Sequence, residues 1–189
     1  MAARFVEGGF RLLAVASGIG TLVAGCFTAN RLITILQTVV PVTTPSELIN
    51  AVNPNVITYT QASAGLAIGI GLLSIFLLCS IVLRIGKFKA GKVGKGFLLV
   101  DILVIFLCLV GLGTGGVIGA LGADIWTKNF IDPINSLLPV RFLIDPIIQI
   151  RDALAATAAV SLFTCLLFVV LEVWMVIFTA KHWSNQQYT

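Results

Sequence analysis

The chain has very few charged residues, and this scarcity indicates its class. Charged residues make up 11% of the 189 residues, whereas an ordinary soluble domain carries about 25%. Hydrophobic residues make up 58% of the chain, and the mean hydropathy is +1.06. This composition predicts a membrane protein that crosses the bilayer several times.

Histidine is scarce, and paired cysteines and common catalytic motifs are missing from the sequence. The one histidine, His182, stands beside Trp183 at the end of an apolar run, and we interpret it as an interfacial residue. The four cysteines fall one in each apolar segment, without CxxC or Cys/His spacing, which argues against metal sites and loop disulfides. No Ser/His/Asp set, HExxH or GxxxxGK[ST] motif is recognisable. We therefore predict no enzymatic activity, no cofactor and no metal site.

Long apolar runs are abundant instead. Four runs are long enough to cross a hydrocarbon core of about 30 Å at about 1.5 Å per helical residue. We place the spans at about residues 12–37, 61–83, 97–122 and 153–180, the outer loops at 38–60 and 123–152, and a basic loop at 84–96. The predicted fold is all-α: one domain, a bundle of four transmembrane helices, with short interfacial helices in the outer loops.

Basic residues concentrate between the second and third spans. Five of the twelve Lys and Arg residues lie there, namely Arg84, Lys87, Lys89, Lys92 and Lys95. A short loop rich in Lys and Arg is retained on the cytoplasmic side, so both termini are predicted to be cytoplasmic. The loop is a candidate site for anionic lipid headgroups, at about 1 kcal/mol per basic residue, and a topology signal alone is the alternative. The net charge of +4 then needs no nucleic-acid partner.

Two carboxylates, Asp101 and Glu172, lie inside the third and fourth predicted spans, and no span supplies an obvious cation for them. Because Asp costs about 2.5–3.5 kcal/mol at a helix centre, each is expected to face the bundle interior, accept hydrogen bonds or carry a proton. A structural role would direct Asp101 toward the basic loop and Glu172 toward a Ser, Thr or Trp of a neighbouring helix. A proton or cation relay is the rival interpretation, which the scarcity of polar residues in the spans disfavours.

Small residues recur at helical spacing in three of the spans. They are Ala14, Gly18, Thr21 and Gly25 in the first span, Gly65, Ala67, Gly69 and Gly71 in the second, with both GxxxG and AxxxG spacings, and Gly111, Gly115 and Gly119 in the third. Small residues four positions apart share one face and let another helix approach closely. We predict that the face of the third span packs against a neighbouring helix, with glycines that merely tolerate lipid as the alternative. In the second span, either pair marks a helix contact or the spacing arises by chance.

The second outer loop contains a repeat, because residues 130–134 and 143–147 share an Ile-Asp-Pro-Ile core. In each copy, Asp is predicted to cap a helix that Pro opens. The loop is too apolar to be freely solvated, so we expect it to lie in the headgroup region or against a neighbouring protein. Covering the bundle's own outer end is the alternative. The candidate contact residues are Trp126, as an interfacial anchor, with Phe130, Ile131, Ile144 and Ile147.

The arrangement of spans resembles the MARVEL-type tetraspans, with fungal plasma-membrane members as the nearest likeness. The likeness rests on four spans, the run LLVDILVIF around Asp101, the glycine-rich half-span after it, and AATAAVSLFTCLLF opening the fourth span. It implies a plasma-membrane scaffold that organises membrane domains, curvature or partner proteins without catalysis.

The partners expected from this interpretation are membrane lipids, either anionic or of the sterol and sphingolipid class, and further copies of the chain or other membrane proteins. The alternative function is a small proton- or cation-coupled transporter or channel that uses Asp101 and Glu172.

Overall fold

The structure is a computed structural model that describes residues 2–38, 55–89, 95–132 and 141–186, with side chains described chiefly over 8–37, 55–77, 98–132 and 145–178. Over these residues the chain forms four α-helices and no strands. The helices are α1 (Ala2–Thr38), α2 (Asn55–Lys89), α3 (Lys95–Trp126) and α4 (Arg141–Gln186), and a π-helical turn (Thr127–Ile131) continues α3.

Each of the four helices contains a segment long and apolar enough to cross a membrane. These segments are Gly8–Gln37, Asn55–Leu77, Leu98–Ile131 and Asp145–Phe178. The prediction of an all-α fold with four membrane-length helices is confirmed, and the chain has the character of a multi-pass integral membrane protein.

The helices extend beyond the predicted spans. α2 begins at Asn55, within the predicted first outer loop, and it continues to Lys89, while α3 begins at Lys95. Most of the predicted basic loop is therefore helical. The difference has a physical reason: polarity marks where a helix leaves the apolar layer, whereas backbone hydrogen bonding continues past that point. Residues 39–54 of the first outer loop, where a short interfacial helix is predicted, lie outside the described residues.

Most of the predicted second outer loop is also helical. Asp132 follows the π-helical turn, and its backbone N–H donates to the carbonyl of Thr127, so Asp132 closes a helix. Pro146 lies inside α4, which begins at Arg141. The predicted role of Asp145 as a cap before a helix-opening proline is therefore wrong. Proline removes one backbone donor, and near a helix start that loss does not prevent the helix from beginning earlier.

The helices follow one another around the bundle in chain order. α1 packs against α2 and α4, and α3 packs against the same two helices, while α2 and α4 make far fewer contacts. We call the end where α2 finishes and α3 begins the basic end. The end where α3 finishes and α4 begins is the aromatic end.

Each end has its own apolar core. The core of the basic end consists of Ala14, Val15, Leu77, Leu98, Ile105, Cys108, Leu112, Phe168, Leu171 and Met175. The core of the aromatic end consists of Leu32, Ile35, Val56, Ala123, Trp126, Phe130, Ile150 and Leu154. Buried hydroxyl groups and glycines occupy the layer between the two cores, and neighbouring helices approach closely at several of these glycines.

Candidate functional site

A buried ion pair joins α1 to α3 at the basic end. The guanidinium of Arg11 donates from Nη2 to Oδ2 of Asp101 at 2.6 Å, and the two side chains are 3% and 2% exposed. The Asp101 carboxylate therefore has a cation within its own chain. The interpretation that Asp101 reaches toward the basic loop for compensation is wrong, because Arg11 lies inside the first membrane-length segment.

The position of Arg11 follows from the face of α1 on which it lies. Arg11, Ala14, Gly18, Thr21 and Gly25 are all buried and recur every three or four residues. Arg11 thus extends the predicted small-residue face by one turn toward the N-terminus. The small residues bring the neighbouring helices close, and the long Arg11 side chain crosses between helices that are not neighbours in the bundle.

Apolar side chains surround the pair. Nη2 of Arg11 also lies 2.7 Å from the sulfur of Met175 on α4, and the same core contains Leu98, Phe168 and Leu171, all at most 1% exposed. Two opposite charges in such a low-dielectric setting attract strongly, but each has lost its hydration. The pair stabilises the bundle only while both charges are present.

Glu172 is the second carboxylate of this region, and it differs from Asp101. Its side chain is partly exposed, it lies within electrostatic range of Asp101, and its buried Oε2 atom has no hydrogen-bond partner. The structural role predicted for Glu172 is a hydrogen bond to a Ser, Thr or Trp of a neighbouring helix. The structure shows no such bond at Oε2. The two predicted intramembrane carboxylates therefore lie in one region but differ in their partners, since Asp101 is paired with Arg11 and Oε2 of Glu172 has no hydrogen-bond partner.

A row of hydroxyl groups connects α1 with α4. Ser17 and Thr164 approach to 2.5 Å, Thr21 and Thr164 to 3.1 Å, and Thr28 and Thr157 to 2.8 Å. Thr157 and Thr164 also donate to carbonyls of their own helix, at Ala153 and Val160. These hydroxyls are engaged in binding one helix to another, which is the usual role of Ser and Thr at membrane helix contacts.

The glycine face of α3 lies against α2. A Cβ atom added at Gly111 would meet Cδ1 of Ile70 at 2.5 Å, one at Gly115 would meet Cβ of Leu66 at 3.1 Å, and one at Gly119 would meet Oγ of Ser63 at 2.5 Å. Ser63 also donates to the carbonyl of Gly115 at 2.9 Å. The close approach and the interhelical hydrogen bond both require this face to lack side chains.

Gly65 and Gly69 do not make the predicted contact within this chain. Both are exposed, and a Cβ added at either would meet nothing within 4 Å. α2 instead approaches α1 through Gly71, where a Cβ would meet Cβ of Leu22 at 2.5 Å, and through Ala67, which faces Gly25. The GxxxG spacing of Gly65 and Gly69 marks a face that does not pack within this chain, whereas the AxxxG spacing of Ala67 and Gly71 marks the face that does.

Trp126 is a core residue and not an interfacial anchor. It is 0% exposed, its Nε1 donates to Oγ1 of Thr60 at 3.1 Å, and its ring lies 5.0 Å from that of Phe130. Phe130 and Ile131 are also buried, and Ile147 packs against the same core. The predicted outward-facing role of these residues is wrong. They cover the bundle's own aromatic end, as the alternative interpretation of this loop proposes. The side chain of Ile144 lies outside the described residues.

The basic residues can be placed only along the backbone. Arg84, Lys87 and Lys89 belong to the last turns of α2, and Lys95 begins α3. Their side chains, and Lys92 as a whole, lie outside the described part of the chain. Binding of lipid headgroups to these residues stays a prediction.

Among the described residues there is no group of three or more His, Cys, Asp or Glu that could hold a metal ion. Searches against protein-family models, curated proteins and solved structures found no match to this chain.

Proposed function

We propose that this chain is a non-enzymatic four-span protein that organises membrane domains, as an oligomer or as an accessory subunit of partner proteins and lipids. In this proposal it acts in the manner that the MARVEL-type likeness implies, in the plasma membrane and with both termini in the cytoplasm.

The ion pair between Arg11 and Asp101 is the main support for this proposal. A transported proton or cation needs a carboxylate that is free to exchange partners along a polar route. Asp101 is instead held by Arg11 at 2.6 Å, and the adjoining side chains Leu98, Phe168 and Leu171 are apolar and buried. A charge fixed in this way is suited to aligning helices.

The outer surface of the bundle gives further support. Large apolar side chains are exposed on all four helices, for example Val23 on α1, Phe76 on α2, Val100 on α3 and Leu166 on α4, each at least 60% exposed. A protein whose polar groups serve its interior and whose surface is apolar can act through what it contacts in the bilayer.

The rival function is proton-coupled transport, and Glu172 is the observation that favours it. Its buried Oε2 atom has no hydrogen-bond partner, and the carboxylate lies within electrostatic range of Asp101, so this region holds a second carboxylate that could carry a proton. This rival requires that the Asp101 ion pair opens during each cycle.

Purification and reconstitution separate the two functions. In mild detergent we expect the 20.1 kDa chain to elute as an oligomer or with bound partner proteins and lipids. Reconstituted alone in liposomes, it should carry no proton flux above that of empty vesicles. A monomeric, lipid-free particle with a proton flux that disappears in Asp101→Asn would overturn the proposal in favour of transport.

The proposed orientation has its own test. Single cysteines substituted at Lys89 and Gln187 should react only with reagents added from the cytoplasmic side, and those at Thr43 and Asn135 only from the opposite side. Labelling of the Lys89 and Thr43 positions from the same side would contradict the orientation.

A further inference from the structure

Glu172 lies on the boundary between the buried and the outward-facing sides of α4. Phe168, Leu171 and Met175 on one side of it are buried in the core of the basic end. Val169, Val173 and Val176 on the other side are 39%, 55% and 49% exposed. A carboxylate therefore stands at the edge of an apolar surface that faces the bilayer.

The Glu172 carboxylate has no cation bonded to it among the residues that the structure describes. Its Oε2 atom is buried without a hydrogen-bond partner, and Arg11, the described cation inside the membrane-length segments at this end, is bonded to Asp101. Because a charge in the hydrocarbon layer is costly, an unpaired carboxylate at this depth has to be neutralised from outside the chain or by a proton.

The remaining described cations of the membrane-length segments do not lie near Glu172. They belong to the aromatic half of the bundle: Arg31 stacks on the ring of Phe27 at 4.8 Å, Lys128 pairs with Asp124, and Arg151 pairs with Asp152. A second copy of the chain brings the same set of described cations, and its Arg11 is engaged in the same way. Within the described residues, neither this chain nor a second copy places a further cation at the depth of Glu172, and a different molecule can supply the complementary charge.

We propose that the face of α3 and α4 around Glu172 docks a transmembrane helix of a different protein that carries one Lys or Arg at the depth of Glu172. The surface suits a helix, because Leu99 and Leu103, which flank Asp101 in the sequence of α3, are 51% and 56% exposed and add to the apolar outer surface of this end. This inference rests on the proposed function as an accessory subunit and names the chemistry of its partner. The ion pair within the chain aligns α1 with α3, and the Glu172 pair would align the partner helix with α4.

The probe for this proposal is a pair of synthetic helices of about 24 leucine and alanine residues, long enough to span a bilayer. One peptide carries a single Lys about 13 Å from the basic-end side, the depth that nine helical residues between Glu172 and Lys181 give at about 1.5 Å each. The other carries Leu at that position. Energy transfer between a labelled peptide and the labelled full chain is measured in zwitterionic phosphatidylcholine vesicles, which contain no anionic lipid to compete for the Lys.

The Lys peptide should bind the wild-type chain about tenfold more tightly than the Leu peptide, which is about 1.4 kcal/mol and within the range of polar contacts between membrane helices. Glu172→Gln should abolish the difference by weakening only the Lys peptide. Asp124→Asn, which removes an exposed carboxylate at the aromatic end, should leave the difference unchanged.

Equal affinity of the two peptides for the wild-type chain would overturn the proposal, as would a Lys preference that survives Glu172→Gln. Self-association of the chain that disappears in Glu172→Gln would identify a second copy as the occupant, which also overturns it. If Glu172→Gln does not fold, the comparison of the two peptides on the wild-type chain still decides. If the two peptides bind with equal affinity but the chain still purifies with partners, this inference alone is overturned. If the chain is monomeric and carries a proton flux that depends on Asp101, the proposed function is overturned.

Discussion

The two ends of the bundle fix their helices by different means. At the basic end, one ion pair between Arg11 and Asp101 connects helices that are not neighbours in the bundle, within an apolar core. At the aromatic end, Trp126 fills the core and makes one neutral hydrogen bond to Thr60. Lipid chains are as apolar as the side chains that pack in the bundle, so hydrophobicity alone does not align membrane helices. The comparison shows two solutions, one that depends on both of two charges and one that depends on shape.

Removal of one charge at the basic end should have the largest effect. Asp101→Asn leaves the shape nearly unchanged but leaves the buried Arg11 guanidinium without its counterion. By analogy with buried pairs in soluble proteins, the free energy of unfolding should fall by about 3–5 kcal/mol, measured by thermal and denaturant unfolding in detergent. Asp124→Asn, at an exposed pair with Lys128, is the matched control and should change stability by less than about 0.5 kcal/mol. Equal melting of Asp101→Asn and wild type would show that the charges are not coupled to the fold.

Overpacking of the layer between the two ends should have the next largest effect. Gly115→Leu places a side chain against Leu66 of α2 and displaces the carbonyl that accepts from Ser63. We expect a loss of about 1–3 kcal/mol, seen as a lower melting temperature in detergent.

Gly65→Leu is the matched control for Gly115→Leu, because a Cβ at Gly65 meets nothing within 4 Å. It should leave the melting temperature of the monomer unchanged. If the two variants melt alike, the α2–α3 contact does not depend on the glycine face. Leu112, which sequence spacing places off that face, is unsuitable as a control because it is only 1% exposed in the core.

A conservative change at the aromatic end should have a smaller effect than loss of the charge. Trp126→Phe keeps an aromatic ring near Phe130 but removes the indole N–H and part of the volume, while Thr60 retains its bond to the carbonyl of Val56. About 1–2 kcal/mol of stability should be lost. Trp174→Phe, at a 38% exposed position, should change the melting curve little. A loss for Trp126→Phe as large as that of Asp101→Asn would contradict the difference between the ends.

A single contact in the hydroxyl row should matter least. Thr28→Val removes the hydrogen bond between Thr28 and Thr157, and Thr157 keeps its bond to the carbonyl of Ala153. The expected loss is about 0.6 kcal/mol, the average for hydrogen bonds between membrane helices. Unfolding of Thr28→Val is compared with that of Thr34→Val, an exposed hydroxyl that bonds its own helix at Asn30. Equal stability of the two variants would mean that the row does not hold α1 to α4.

Sequence patterns predicted the number and type of the helices because apolar runs of bilayer length have few alternative structures. They did not predict the partner of Asp101, because Arg11 stands in the polar lead before the first run and looks like a topology signal. One signal was present: Arg11 continues the three- and four-residue spacing of Ala14, Gly18 and Thr21.

The roles of the outer residues could not be predicted for a related reason. An apolar loop and an apolar helix end have the same composition, so Trp126 and Phe130 were assigned to an outward-facing surface. Their burial depends on α3 continuing through the π-helical turn to Ile131, which extends the bundle core beyond the predicted span. Similarly, spacing alone does not distinguish the exposed pair Gly65 and Gly69 from the packed face at Gly115.

A double-mutant cycle on Arg11 and Asp101 tests the central claim most directly. Unfolding free energies in detergent are measured for wild type, Arg11→Met, Asp101→Leu and the double variant. If the pair aligns α1 and α3 as a unit, each single change should cost about 3–5 kcal/mol and the double change much less than their sum, because no charge is then left buried alone. Additive losses in the double variant would contradict the account, since they would mean that Arg11 and Asp101 stabilise the bundle independently.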